Sequence, residues 1–327
     1  MPYSEPQMEI SDFQTAEWAP LQRLWQQRWP QFPLSIELFT QQTQGDPWHF
    51  RPDLCRLVWQ GGELLGALLI KTPPRSPAWK GQNPQLGWIQ VLLVKPGLEN
   101  TVGQHLLTLA LEQLVSQGIT QVRYGGSPAH FFPGVPLDDP ALAQLLVLNG
   151  FQAGQIDHDY RRSLAGWQPP SNSLDPLKQP GLSVAGCTPQ EVSGLLSFLD
   201  RCFPGRWAFE TRTRLGGELD PGEIMVLRDR AQIVGFAHTY TSHSRQIGPS
   251  IYWSSSLGSQ AGGLGPIGID PAYRGRGLGL ALLVAAVDTL FRKGVDPMVI
   301  DWTTLGDFYG KLGFAPWHGY QDFRRGL

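Results

Sequence analysis

The period of the apolar positions changes along this chain, and each change marks an element. Between Pro189 and Phe203, Val192, Leu195, Leu196 and Leu199 recur at helical spacing, with Thr188 placed to cap and Pro189 at the first helical position. Ile224 to Leu227 and Gln232 to Tyr240 are apolar runs separated by Arg228-Asp229-Arg230-Ala231, the pattern of a hairpin. Gly263-Leu264-Gly265-Pro266-Ile267-Gly268-Ile269 reads as a strand interrupted by Gly and Pro, which predicts a bulge or a close approach by another chain or ligand. Helical spacing returns from Leu278 to Arg292 through Leu282, Ala285, Ala286 and Leu290, and Gly294 supplies a stop. Met298 to Ile300 predicts a strand, Gly306 to Leu312 a short helix, and Phe314 onward a last strand.

The first half runs through the same order. Met8 to Ile10 predicts a strand, Thr15 to Arg28 a helix with Leu21, Leu24 and Trp25 on one face, and Leu54 to Val58 with Glu63 to Ile70 a hairpin. Trp88 to Val94 follows as an apolar strand, Asn100 to Gln117 as an amphipathic helix, Gln121 to Tyr124 as a strand and Ala141 to Leu148 as a helix. Leu148-Asn149-Gly150-Phe151 parallels Lys311-Leu312-Gly313-Phe314 one domain length later, so an internal duplication is inferred. Gln152 to Leu164 alternates as a strand, and Gly181 to Gly186 starts a new one. Between them Ala165 to Pro176, rich in Pro, Gly and polar residues, interrupts every apolar period. The expectation is an α/β (α+β) protein of two tandem domains, 1–165 and 181–327, joined by a linker at 166–180, each a mixed sheet flanked by helices.

Charge and composition narrow the function. With 26 Lys plus Arg against 28 Asp plus Glu the net charge is -2, which disfavours nucleic acid or an anionic membrane as partner. No run of about 18 apolar residues occurs, and Met1 to Pro6 lacks a basic and an apolar leader region, so a cytoplasmic protein is expected. Cys55, Cys187 and Cys202 show no metal-ligand or redox spacing and read as reduced. Asp157-His158-Asp159 resembles a metal cluster, yet neighbours on a strand point to opposite faces, so a polar strand end and no metal are expected. Trp18, Trp25, Trp29, Phe32 and Trp48 are expected to pack the first domain's helices.

The sharpest local signal is Pro271-Ala272-Tyr273-Arg274-Gly275-Arg276-Gly277-Leu278-Gly279, between an apolar strand and an amphipathic helix. Glycines there leave backbone N–H groups uncovered at a helix N-terminus, which suits a pyrophosphate, and Arg274 and Arg276 add donors. A Walker loop needs Gly-Lys-Ser/Thr, and a dinucleotide fingerprint needs Gly-x-Gly-x-x-Gly after the first strand; neither fits. Arg-x-x-Gly-x-Gly does fit, through Arg274, Gly277 and Gly279, and Phe308-Tyr309-Gly310-Lys311-Leu312-Gly313-Phe314 follows in order. In these two motifs the chain resembles the GNAT superfamily of acetyl-CoA-dependent N-acyltransferases, over the second half by motif and over the first by topology alone.

That resemblance implies that the fourth and fifth strands of the second domain splay apart. Pantetheine then lies between them against backbone groups of Ile267, Gly268 and Ile269, with the pyrophosphate on Arg274, Gly275, Arg276, Gly277, Leu278 and Gly279. It implies transfer of an acetyl group from acetyl-CoA to a primary amine by direct attack, with an N–H near Ile269 polarising the thioester and Tyr309 protonating the thiolate. Asp301 and His238 are the candidate bases, with a water chain as an equal alternative; an ordinary hydrogen-bonded side chain is the commoner role of each. Trp302-Thr303-Thr304 stands where the family often has an asparagine, a departure at the place of a cofactor or substrate hydrogen bond.

In the first half Leu98 stands at the place of Arg274, Thr101 at that of Gly277 and Leu146 at that of Tyr309, while Glu99 adds negative charge. That domain is expected to be a non-catalytic duplicate. The partners expected are a small-molecule amine and, as an open alternative, a second copy of the chain. Two rival functions stay open: a coenzyme A-binding regulatory module without turnover, and an aminoacyl or peptidyl transferase of tandem type.

Overall fold

The structure, a computed structural model, describes residues 8–74, 83–217 and 219–327. The first seven residues, on which the absence of a leader was read, lie outside that set. The described residues fall into two units, one of 8–74, 83–157 and 319–327, the other of 158–217 and 219–318.

The first unit begins with β1 (Met8–Asp12), α1 (Trp18–Arg28), α2 (Ile36–Gln42), β2 (Arg56–Gln60), β3 (Glu63–Lys71) and β4 (Leu86–Val94). Then come α3 (Gln104–Ser116), β5 (Gln121–Tyr124), the two-residue β6 (Val135–Pro136), α4 (Pro140–Leu148) and the start of β7 (Gln152–Arg162). Strands β1 to β4 pair antiparallel in sequence order, and β4 runs parallel to β5 over Leu86 to Ile89. The expected helix from Asn100 opens instead as a π turn, Glu99–Gly103. Trp25, Trp29 and Phe32 are each about 1% exposed and meet Phe132 at 5.0–5.2 Å, so these three pack the core as expected, whereas Trp48 lies half exposed.

The second unit holds the rest of β7, β8 (Leu182–Gly186), α5 (Val192–Cys202), α6 (Arg206–Leu215), β9 (Ile224–Asp229), β10 (Gln232–Thr241) and β11 (Gly262–Ile269). It continues with α7 (Leu278–Arg292), β12 (Met298–Thr303), α8 (Gly306–Gly310) and the start of β13 (Ala315–Gly326). Its sheet order is β7-β12-β11-β10-β9-β8, mixed because β11 and β12 are parallel. Glu191 accepts the Thr188 N–H at 2.8 Å, closing a capping box before α5.

Each face of this sheet is covered by a different helix set. Leu278, Leu282, Ala286 and Leu290 of α7 pack on Val234, Leu264, Met298 and Ile300, while Leu195, Phe198 and Leu199 of α5 with Ala208 of α6 pack on Val226, Ile233 and Phe236. Each such leucine contributes about 1.5–3 kcal/mol on leaving water. The central strands are therefore apolar on both sides, which is why they read as continuous runs rather than as alternation.

The expected division at 1–165, 166–180 and 181–327 needs correction at both ends. From His158 the strand β7 pairs with β12, through Thr303–His158, Ile300–Tyr160, Val299–Arg161 and Met298–Arg162, and so joins the second unit. Conversely, Phe323 to Gly326 of β13 pair with Tyr124 to Gln121 of β5, so 319–327 belong to the first unit. Strand pairing decides membership here, and the Pro/Gly-rich stretch follows the change of unit instead of causing it.

Candidate active site

Strands β11 and β12 start as a parallel pair and then part. Gly262, Gly263 and Leu264 register with Met298, Val299 and Ile300, and among the described residues no β12 partner follows Leu264. On its other edge β11 stays paired with β10 as far as Ile269, opposite Gly235, and the expected bulge appears as a register shift between Ala237 and Thr239. The Asp270 N–H donates to Val234 O of β10 at 2.8 Å. Backbone groups of successive strand residues face alternate edges, so Ile269 and Ile267 turn theirs toward the parted edge. Gly268 faces β10, opposite Phe236.

Beyond β11 the chain makes a turn that depends on glycine. Asp270 Oδ1 accepts the Ala272 N–H at 2.9 Å and Oδ2 meets Arg201 at 3.0 Å, fixing the start. Gly275 and Gly277 have φ of +74° and +75°, in the left-handed region, and Gly277 is the N-cap of α7. No side chain caps this helix, and its first internal bond runs from the Ala281 N–H to Gly277 O at 3.1 Å. The N–H groups of Leu278, Gly279 and Leu280 thus lack helical acceptors at the positive end of the helix dipole. A Cβ on Gly275 would meet nothing within 4 Å, and one on Gly279 would lie 3.7 Å from Ile269, so the turn is open at Gly275 and adjoins the end of β11, while Pro176 stands 3.0 Å from a Cβ on Gly277. Arg274 reaches back to Ile269 O at 3.4 Å; Arg276 bonds Gln179 at 2.9 Å and lies 5.0 Å over the Tyr273 ring.

Tyr309, on α8 after β12, is 4% exposed and packs beside Phe308, Tyr160 and Phe314 at ring separations of 5.1, 6.4 and 6.5 Å. Burial, reinforced by the Asp301 charge, raises its phenol above the ordinary value, so it stays protonated. A Cβ on Gly265 would fall onto Asp301 Oδ1, which places this carboxyl at the point where the strands part. Its Oδ1 is buried without a hydrogen-bond partner among the described residues. Burial first and Asp159 second push the acid up to about 7, against the opposing pull of Arg206.

Asp159, expected only as part of a polar strand end, and Arg206, which no motif marked, stand here. Asp159, from β7, accepts the Trp302 N–H at 2.8 Å across 143 positions of sequence, a pairing no local pattern announces. Trp302 itself has φ of +28°, and the Arg206 guanidinium of α6 lies 4.4 Å over its ring. His238, the other candidate base, is enclosed: Nδ1 meets Tyr240 Oη at 3.1 Å and Nε2 meets Thr211 Oγ1 at 3.3 Å. Burial, with Arg214 nearby, pushes it down to about 3, so it is neutral at physiological pH and both ring nitrogens are engaged. Among the described residues no three His, Cys, Asp or Glu side chains converge as a metal site, Asp157-His158-Asp159 included.

The corresponding turn of the first unit is closed by its own side chain. Glu99 Oε2 accepts the Gly97 N–H at 2.9 Å and Oε1 bonds Arg28 at 3.0 Å. Arg28 is held in turn by a two-pronged contact to Asp139, both bonds 2.7 Å long. An internal carboxylate thus fills this turn with negative charge and holds the cation beside it.

Residues 192–314 match the Acetyltransferase (GNAT) family. A mycothiol acetyltransferase of Renibacterium salmoninarum is 34% identical over 101 residues, which are 29% of this chain and 27% of that protein. Among solved structures, a GCN5-related glucosamine N-acetyltransferase region in a fungal multi-domain GH3 β-N-acetylglucosaminidase superposes with a TM-score of 0.84 at 21% identity. It covers 99% of this chain, which spans 38% of that one. A tandem GNAT protein from the clavulanic acid biosynthesis pathway superposes with a TM-score of 0.64 at 16% identity, over 98% of each chain. Residues 192–314 therefore carry a GNAT domain by family match, and over nearly its whole length the chain shares the two-domain fold of a tandem GNAT protein.

Proposed function

We propose that the second unit transfers an acetyl group from acetyl-CoA to a primary amine, and that the first unit carries no chemistry. The observation that carries this reading is the parted edge of β11 running straight into an uncapped, glycine-lined helix N-terminus. An extended chain with amide groups can bond Ile267 and Ile269 along the edge, and a pyrophosphate can take the N–H groups from Gly275 to Leu280. Acetyl-CoA supplies the activated thioester.

The chain's own groups then divide the work. Asp301, poised near neutral pH, takes a proton from the bound ammonium, leaving an amine that attacks the carbonyl. An N–H at the end of β11 steadies the oxyanion, and Tyr309, held protonated, gives its proton to the departing thiolate as the C–N bond replaces the C–S bond; the second proton of the attacking nitrogen restores the Tyr309 phenol, and the one on Asp301 leaves to water. Asp159, Glu210 and Asp301 against Arg206 make this side acidic on balance, which favours a cationic amine. The fungal relative's name makes glucosamine the first acceptor to try. We place the reaction in the cytoplasm; among the described residues no helix is long and apolar enough to cross a membrane.

The test is release of free coenzyme A thiol from acetyl-CoA across a panel of amines that includes glucosamine. Amine-dependent release that Tyr309→Phe depresses supports the assignment. Tight coenzyme A binding with no turnover on any amine would favour a regulatory module instead.

A further inference from the structure

We infer that Asp159 is a positioning residue that holds the two-residue bulge of β12 carrying Asp301, and so fixes both the aim and the charge of that carboxyl. This rests on Asp301 being the proton acceptor. The β7–β12 ladder is regular through Met298–Arg162, Val299–Arg161 and Ile300–Tyr160, then resumes at Thr303–His158. Between those pairs β12 spends two residues, Asp301 and Trp302, where β7 spends one, Asp159. That count is a β-bulge, a device that re-aims a side chain at one point of a sheet.

The bulge has a visible tie. Asp159, 6% exposed, accepts the Trp302 N–H at 2.8 Å, and Trp302 holds a φ of +28°, a conformation a bulky residue keeps only when its surroundings impose it. The consequence is the placement of Asp301 against Gly265, where an ordinary strand residue would leave no room for a side chain opposite. Electrostatics act on the same carboxyl: Asp159 from β7 and Glu210 from α6 resist its ionisation, and Arg206 from α6 favours it. Tyr240 from β10 and Tyr309 from α8 also face it.

The full-length protein with the best amine from the panel provides the test, read as the pH profile of kcat/KM. Asp159→Asn keeps an oxygen for the Trp302 N–H and removes the charge, so the acid limb should move to lower pH by about half a unit or more. Asp159→Ala removes the tie as well, and its kcat should fall at least about tenfold below that of Asp159→Asn, with coenzyme A affinity held in both. Asp301→Asn is the reference. If it abolishes the limb while Asp159→Asn leaves the limb in place, the inference about Asp159 is overturned and the proton acceptor stands. If Asp301→Asn keeps both limb and rate, the proton acceptor is wrong and the inference falls with it. Should Asp159→Ala fail to fold, the shift in Asp159→Asn still decides.

Discussion

Gly277→Asp tests the anion seat, and its three effects can be separated in advance. First, φ at this position is +75°, which costs an L-residue about 1–2 kcal/mol. Second, a Cβ would stand 3.0 Å from Pro176 Cγ, so the neighbour must give by a few tenths of an ångström. Both lower thermal stability, by several degrees for a unit of this size. Third, the new carboxylate lies among the N–H groups at the start of α7, and the first unit shows what a carboxylate does in such a turn: Glu99 takes the Gly97 N–H for itself. Loss of one charge-assisted bond to the pyrophosphate amounts to ~1.5–3 kcal/mol, or roughly 10- to 150-fold in Kd, before repulsion is added.

Calorimetric titration of coenzyme A into the full chain at fixed ionic strength measures the third effect. Gly277→Ala carries the first two without the charge, and Gly275→Ala carries only the backbone strain, since nothing lies within 4 Å of its Cβ. The expected order of affinity is wild type strongest, then Gly275→Ala and Gly277→Ala, then Gly277→Asp. A folded Gly277→Asp protein that binds coenzyme A within twofold of Gly277→Ala would refute the placement of the pyrophosphate on this turn.

Three further outcomes follow from the same geometry. Tyr309→Phe keeps the ring contacts, so melting temperature and coenzyme A affinity should hold while kcat falls roughly 100-fold in the thiol-release assay. Coenzyme A should bind with a stoichiometry of one, and Thr101→Asp, in the turn that Glu99 already closes, should leave both stoichiometry and affinity unchanged in the same titration. Asp301 keeps its proton in the folded chain up to about 7, against about 4 for an ordinary aspartate. Its contribution to stability is therefore present below pH 4 and lost as pH rises to 7. Asp301→Asn should accordingly melt higher than wild type at pH 8, with the gap closing toward pH 4.

The elements that repeat a period over many residues were legible, and those that depend on tertiary partners were not. The helix from Leu278 to Arg292 has its apolar stripe and its stop at Gly294 written locally, and it formed with those bounds. By contrast α6 buries only Ala208, Phe209 and Thr211 among charged and polar residues, and α2 is seven residues long, so neither offers a stripe to read. The glycine turn was visible because Gly275 and Gly277 are demanded by backbone conformation, which leaves its mark on residue type. Asp301 was visible only as a strand-end carboxyl; what singles it out is Gly265 on one side and Asp159 on the other, 36 and 142 positions away in sequence.

The contrast between the two turns shows how a turn can close against an anion while the helix after it keeps its packing. A pyrophosphate seat is built mainly from backbone N–H groups, so it needs the absence of side chains more than the presence of any particular one. Such a seat survives only while nothing else satisfies those donors. In the first unit Glu99 puts a carboxylate into the turn and takes the Gly97 N–H, and the cation beside it, Arg28, is held by Glu99, Asp139 and Val94 O within the fold. The helix that follows keeps Leu106, Leu107, Ala110 and Leu114 buried, because packing of that face never depended on the anion. The charge in a turn and the packing of the helix after it are thus independent, and the sequence marks the difference between the two turns as a charge, Glu99, where the second unit has Gly275.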